Sequence, residues 1–330
     1  MKNSITLLAV FALTISISFA QSLFGKRICI DPGHGGTATT DAYRVGMTGE
    51  REEWINLRVG LLLKELLVQA GAEVLMTRDL DVEVGLATRA RMAKEFNSDL
   101  FISIHHNATA DTSANFPIIY FHGSAKQNTA SVNFSKLLVK EFWKQMYPKR
   151  MKNYSIVSDQ VIFPKGGAAV LRQTYGIPAV IAEASFFSNP AEEQRLKSVT
   201  YNKQEALAYL KAIQEFFKKK HSILEKDIDD VLQIAVNQEA ARMDKSALAW
   251  KSKLEKASLI IQSRQVEAYP EAEAYLLGIL KSFPDNDKIH EIYQLLLLVY
   301  KDSSRTEDYI KMKNRMEHFI LHIRCVFPRL

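Results

Sequence analysis

Three side chains that can bind a metal ion lie next to short apolar segments of this sequence. His34 lies in the motif DPGHGG, directly after the apolar residues 28–30, and His105 directly follows residues 100–104. Glu52 begins a helix-type pattern a short loop after His34. Two imidazoles and one carboxylate, with a fourth position open to water, form a typical catalytic zinc set, in which the metal lowers the pKa of bound water to about 7. These residue types predict a metal site made of the three side chains.

A fourth candidate, Glu183, follows the apolar residues 178–182 and has an alanine on either side. A carboxylate at this point could accept a proton from a metal-bound water and pass it to a leaving nitrogen. Two alternatives stay open. The helix dipole favours a first-turn glutamate such as Glu52 without any metal. His106 could also bind the metal in place of His105, because neighbouring strand residues face opposite ways and only one of them can face the site.

The elements that must position these side chains follow one another as strand and helix patterns. Short apolar segments predict strands at residues 28–30, 73–77, 100–104, 118–121, 169–171 and 178–182. Apolar residues at helical spacing predict helices at residues 50–70, 86–96, 131–146, 191–196 and 204–217, with an irregular surface loop at residues 149–165. This order is typical of an α/β fold with a mostly parallel sheet flanked by helices. The carboxyl ends of its parallel strands would meet at one edge, where such sheets bind ligands.

The composition changes at the charged residues 218–221. Beyond this point the sequence shows only helix patterns, at residues 228–241, 247–261, 272–280, 289–300 and 310–321. Residues 269–321 are loosely similar to a tetratricopeptide-type repeat, although the signature positions are incomplete. We expect a catalytic domain at residues 21–220, followed by a smaller all-α C-terminal domain at residues 221–330.

The N-terminus has the features of an export signal. Met1 and Lys2 precede an apolar run over residues 5–20 that ends in small residues, which predicts a signal peptide at residues 1–20 cleaved after Ala20. A membrane anchor is the alternative, but the run is short for a span. Cys29 and Cys325 lack metal-site spacing, and we expect two free thiols, while a disulfide in an oxidising compartment stays open.

The formal net charge of +6 is moderately basic. No stretch interleaves dense Lys and Arg with aromatic residues, so nucleic acid is not indicated as a partner. A basic surface suits an anionic polymer such as a cell wall, and it equally suits solubility.

Several motifs in a fixed order resemble the zinc-dependent N-acetylmuramoyl-L-alanine amidases of bacterial cell-wall turnover. The resemblance rests on five motifs: DPGHGG at residues 31–36, Glu52 with Asn-Leu at 56–57, Thr-Arg at 77–78, Ser-Ile-His at 103–105 and PAVIAE at 178–183. It covers about residues 26–219 and implies an α/β sheet flanked by helices. It also implies that His34, Glu52 and His105 bind zinc and that Glu183 is the catalytic base.

The sequence departs from the family pattern at two positions beside the predicted zinc ligands. Glu53 stands where the family often has lysine, and His106 stands where it usually has a small residue or asparagine. An extra imidazole could hold substrate, which makes His106 a candidate for substrate contact. Arg172 is a second candidate for substrate contact.

The resemblance implies a secreted zinc hydrolase that cleaves the amide between N-acetylmuramic acid and L-alanine in peptidoglycan. The alternatives are a catalytically inactive peptidoglycan-binding or activator protein on the same fold, or a zinc peptidase acting on another wall amide. The expected location is the periplasm if the organism has an outer membrane, and otherwise the cell wall. The resemblance does not reach the C-terminal helices, where we expect any protein partner to bind.

Overall fold

The computed structural model describes residues 22–36, 44–147, 153–163, 166–224 and 241–322. Its centre is a six-stranded sheet in the order β2-β1-β3-β6-β4-β5. The strands are β1 (Arg27–Pro32), β2 (Glu73–Met76), β3 (Leu100–Asn107), β4 (Ile118–Phe121), β5 (Ser155–Ser158) and β6 (Ala179–Phe186). The β4–β6 pair is antiparallel and the other pairs are parallel. The predicted mostly parallel α/β sheet is therefore confirmed.

The helices of the described residues fall into two groups along the chain. The first group comprises α1 (Glu52–Gln69), α2 (Leu86–Glu95), α3 (Thr129–Gln145), α4 (Ala169–Arg172), α5 (Pro190–Leu196) and α6 (Val199–Phe216). The second group, the C-terminal helices, comprises α7 (Trp250–Gln262), α8 (Tyr269–Ser282), α9 (Ile289–Asp302) and α10 (Thr306–Phe319). Apart from α4, these helices lie close to the positions that helical spacing predicts.

The structure corrects three local predictions. The predicted strand at residues 169–171 is the short helix α4, in which the Arg172 amide donates to the Ala168 carbonyl at 2.9 Å. The predicted loop at residues 149–165 contains β5, whose four residues are all buried. Strand β6 continues to Phe186, so Glu183 lies within the strand and not at its end. Short apolar runs carry too little periodicity to separate strand from helix, and this ambiguity accounts for the first two differences.

Both faces of the sheet are covered, as the burial of parallel strands requires. On one face, Leu100, Ile102 and Ile104 of β3 join the apolar cluster of α1, α3 and α6. On the other face, Phe101 joins a cluster that includes residues of the C-terminal helices. In this second cluster Phe186 of β6 lies with its ring centroid 6.3 Å from that of Phe283. The C-terminal helices thus share an apolar core with the sheet, while the division at residue 220 into separate domains stays a prediction.

Some predictions fall outside the described residues. These are the signal peptide at residues 1–20, most of the predicted helix at residues 228–241, and Cys325. Cys29 is described and is a buried free thiol in β1. Among the described residues, no helix combines the length and apolar character needed to span a bilayer.

Candidate active site

The structure brings the three predicted metal ligands together beyond the carboxyl end of β1. Glu52, in the first turn of α1, places one carboxylate oxygen 3.1 Å from His34 Nε2 and the other 2.9 Å from His105 Nδ1. One ligand atom from each residue lies within 4.8 Å of the other two. Burial alone would raise the pKa of Glu52, but His34 and His105 hold it well below its usual value. A nearly buried carboxylate between two imidazoles can therefore stay ionised and hold a metal ion.

The backbone of the DPGHGG segment allows these side chains to approach. A Cβ at Gly33 would lie 2.2 Å from atoms of the His105 ring, so only glycine leaves room for this imidazole. His34 has a φ of 60°, a conformation that costs energy for a residue with a side chain. The Arg89 guanidinium donates to the His34 carbonyl at 2.6 Å, which helps to hold this conformation.

Two buried arginines bind the carbonyls of the same loop. Arg78 donates to the Pro32 carbonyl at 2.8 Å and to the Gly33 carbonyl at 2.8 Å. Arg89 donates to the Pro32 carbonyl at 2.9 Å and to Asp31 at 2.7 Å. Charge-assisted bonds of this kind are strong and directional. They make the loop a rigid support for His34.

Asp31 anchors this network from within β1. Its carboxylate accepts hydrogen bonds from Thr77 Oγ1 at 2.5 Å and from Ser103 Oγ at 2.7 Å, in addition to the bond from Arg89. Burial would raise the pKa of Asp31, but the Arg89 charge and these hydrogen bonds lower it below its usual value. The side chain is therefore a buried anion that links β1 to β3 and to the segment after β2.

Glu183 lies beside the metal ligands on the neighbouring strand. It pairs with His105 across β3 and β6, which run parallel, so the two side chains point to the same face of the sheet. Its Oε2 atom is buried and has no hydrogen-bond partner among the described residues. The pKa of Glu183 is raised to about 7, mainly by burial. His105 acts to lower this pKa, and the negative charge of Glu52 acts to raise it. A carboxyl group with this pKa can both accept and donate a proton near neutral pH.

The structure turns the His106 ring away from the three predicted metal ligands, and the residue contributes to the lining of the cleft that opens over them. Its ring is fully buried on the opposite face of β3, with Nε2 3.0 Å from Glu205 and Nδ1 2.9 Å from Asn56 Oδ1. The Asn56 side chain in turn donates to Glu52 at 3.2 Å. Both imidazole nitrogens are therefore engaged, and His106 acts on the site by positioning the carboxylate of Glu52.

Arg172, the second candidate for substrate contact, lies away from the ligands. Its Nη1 donates to the carbonyls of Gly166 and Gly167 at 3.0 and 3.2 Å. The side chain is not among the residues that line the cleft over the metal ligands. The two hydrogen bonds hold the turn before α4.

A cleft of about 620 Å³ opens over the site and includes residues that the sequence analysis did not select. Tyr120 of β4 and residues 241–244, which precede α7, form part of its wall together with His34, His105 and Glu183. No local signal in the sequence indicates these residues, because they reach the cleft only through packing of distant segments.

Fold and site together define an α/β protein with a candidate metal centre and a candidate proton-transfer carboxylate at the carboxyl edge of its sheet. A family model described as N-acetylmuramoyl-L-alanine amidase matches residues 28–215. The chain therefore belongs to this family. The matched part contains all six site residues predicted from the sequence, and the C-terminal helices lie beyond it.

Relatives and solved structures agree with this assignment. The probable cell wall amidase LytH of Staphylococcus epidermidis is 31% identical over 198 residues, which cover 60% of each chain. The amidase AmiC of Escherichia coli O6:H1 is 27% identical, over 58% of this chain and 52% of its own length. The chain thus spans between 52% and 60% of the length of these two curated relatives. The solved catalytic domain of the amidase CwlV from Bacillus (Paenibacillus) polymyxa is 27% identical with a TM-score of 0.50, over 59% of this chain and 99% of the domain.

Proposed function

We propose that the protein is a zinc-dependent amidase that cleaves the bond between N-acetylmuramic acid and L-alanine in peptidoglycan. The observation that carries the proposal is the convergence of His34, Glu52 and His105, whose ligand atoms lie within 4.8 Å of one another, beside Glu183. Two imidazoles and one carboxylate fit zinc in a catalytic site. The close approach of His105 to Gly33 supports a site built for this geometry. Membership of the amidase family supports the substrate class.

The residues of the chain have separate roles in this proposal. Zinc, when bound, would supply Lewis acidity toward the carbonyl and lower the pKa of its water. Glu183 accepts the proton of the attacking water on its carboxylate and donates it to the leaving nitrogen of L-alanine. Its raised pKa of about 7 matches both halves of this transfer. Asn56, held by His106, positions Glu52 by donating to its carboxylate at 3.2 Å.

We further propose that the protein acts outside the cytoplasm, in the periplasm or in the cell wall. The N-terminal signal-type sequence and the kinship with cell wall amidases support this location. A protein partner at the C-terminal helices is part of the same proposal. One of the similar solved structures is the amidase CwlD of Clostridioides difficile in complex with the GerS lipoprotein, at 25% identity and a TM-score of 0.51.

Digestion of purified peptidoglycan tests the activity. We expect new L-alanine amino termini, identified by mass spectrometry of the released peptides. Other new termini would indicate a peptidase, and intact wall would indicate a binding or activator protein. The full set of one base and three ligands argues against the inactive alternative.

Three variants test the assignment of roles. His34→Ala and His105→Ala should each lose zinc and activity together. Glu183→Gln should keep zinc and lose activity, because the base is not a metal ligand. Metal analysis of the purified variants decides the matter, and a zinc-free Glu183→Gln protein would overturn the separation of roles.

A further inference from the structure

The segment before α7 forms part of the wall of the active-site cleft. Residues 241–244 line the cleft together with the metal ligands and Glu183. The Arg242 carbonyl accepts hydrogen bonds from the Ala110 amide at 2.8 Å and from Thr109 Oγ1 at 3.0 Å. A third bond joins Trp250 Nε1 to Asp111 at 2.8 Å. The wall is therefore fastened directly to the loop that follows β3.

The orientation of the catalytic side chains explains why this segment reaches them. Side chains alternate along β3 and β6, so His105 shares a face with Phe101 of its own strand, and its register partner Glu183 shares that face with Ile181. That face is the one that the C-terminal helices cover. The family match ends at residue 215, so this wall lies outside the matched catalytic part of the chain.

Arg242 is held rigidly at this wall. Its Nη1 donates to Asp285 Oδ2 at 2.8 Å and lies 3.2 Å from the Tyr120 hydroxyl, which itself donates to Asp285. Asp285 is fully buried in the turn between α8 and α9. The Arg242 side chain keeps 22% of its surface exposed. Its Nε and Nη2 atoms have no hydrogen-bond partner among the described residues, so they remain available to a bound molecule.

A guanidinium with free donors in a cleft is suited to a carboxylate. Arginine presents its donors in a planar fork that matches the two oxygens of a carboxylate. In a muramoyl peptide, the carboxyl group of the muramic acid is consumed in the amide that the enzyme cleaves. The remaining sugar groups are neutral, so the carboxylates of the substrate lie in its peptide part.

We propose that Arg242 binds a carboxylate of the peptide part of the substrate and makes the C-terminal region a determinant of substrate specificity. The inference rests on the proposed amidase function. It assigns to the C-terminal region a direct contact with the peptide, in addition to its packing on the sheet. Asp285 and Tyr120 are positioning residues, because the Asp285 carboxylate and the Tyr120 hydroxyl hold the guanidinium.

The test compares two soluble substrates with the zinc-loaded, full-length protein. One is N-acetylmuramoyl-L-alanyl-D-glutamate, and the other is the same compound with both carboxyl groups amidated. The variants are Arg242→Gln and Arg242→Lys, and Lys245→Gln is the matched control. Lys245 is exposed, lies three residues further along the chain and does not line the cleft. Arg242→Lys retains a charge opposite Asp285, so it keeps the test informative if Arg242→Gln folds poorly.

We expect the wild type and Lys245→Gln to prefer the acidic substrate. Arg242→Gln should lower kcat/KM for the acidic substrate by roughly 10- to 100-fold and leave the amidated substrate within about 2-fold, because a hydrogen bond to a charged group is lost only with the former. Arg242→Lys should reduce the preference less. An equal loss for both substrates, or no wild-type preference, would overturn the inference. Hydrolysis of neither substrate nor purified wall by the wild type would instead refute the proposed amidase activity.

Discussion

Phe283 joins the C-terminal helices to the sheet, and its removal tests whether the two parts unfold together. The side chain is fully buried directly after α8. Its ring centroid lies 5.7 Å from that of Trp250 and 6.3 Å from those of Phe116 and Phe186. Two of these partners belong to the sheet side of the core and one belongs to α7.

Phe283→Ala should lower the free energy of unfolding by about 3–5 kcal/mol, the range for truncating a buried phenylalanine. The upper part of this range is expected, because each aromatic pair adds about 0.5–1.5 kcal/mol beyond the area that it buries. Leu277→Ala is the matched control in the adjoining helix α8, since Leu277 is 41% exposed. Its effect should stay within about 0.5 kcal/mol.

Urea unfolding followed by two probes provides the measurement. Far-UV circular dichroism reports on all helices. Every protein compared carries phenylalanine in place of Trp54 and Trp250, so that Trp143 in α3 is the remaining tryptophan. Its fluorescence then reports on the opposite face of the sheet. With a shared core, both probes should move to a lower urea midpoint in Phe283→Ala. A Trp143 transition that keeps its midpoint, while only part of the circular dichroism signal shifts, would refute the shared core and support an independent C-terminal domain.

Three further predictions concern the site. Gly33→Ala should weaken zinc binding by at least about 10-fold in a zinc titration, because the new Cβ displaces the His105 imidazole. The control Gly85→Ala should bind zinc normally, because a Cβ at Gly85 meets no atom within 4 Å. His106→Ala should retain zinc by metal analysis but lose about 1–3 kcal/mol of stability, since it leaves the buried Glu205 without its partner. Loss of zinc in His106→Ala together with retention of zinc in His105→Ala would reverse the choice of ligand. The pKa of Glu183 is raised from 4.5 to about 7, so the folded metal-free protein binds a proton that the unfolded chain has released. Its stability should therefore fall as the pH rises from about 4.5 to about 7, and Glu183→Gln should remove this slope in urea titrations; an unchanged slope would place the titration elsewhere.

The sequence by itself determined the parts of the protein that depend on local pattern. Helical spacing predicted α1, α3 and α6, and short apolar runs ending in glycine or histidine predicted β1 and β3. The types and positions of His34, Glu52, His105 and Glu183 indicated a metal site with a neighbouring base, and the resemblance to the amidase family selected this assignment over the alternatives. The strand-to-loop order then indicated that these residues would share one edge of the sheet, because parallel strands place their carboxyl ends together.

Only the tertiary structure decided which side chains meet across long separations in sequence. Glu205 binds His106 from 99 residues away, which makes His106 a buried positioning residue. Arg242 and Tyr120 are 122 residues apart, and their contact brings the C-terminal region to the cleft. The four-residue strand β5 likewise depends on its parallel partner β4. Periodicity reports only how neighbours along the chain share a face, whereas these contacts depend on how separate elements pack in space.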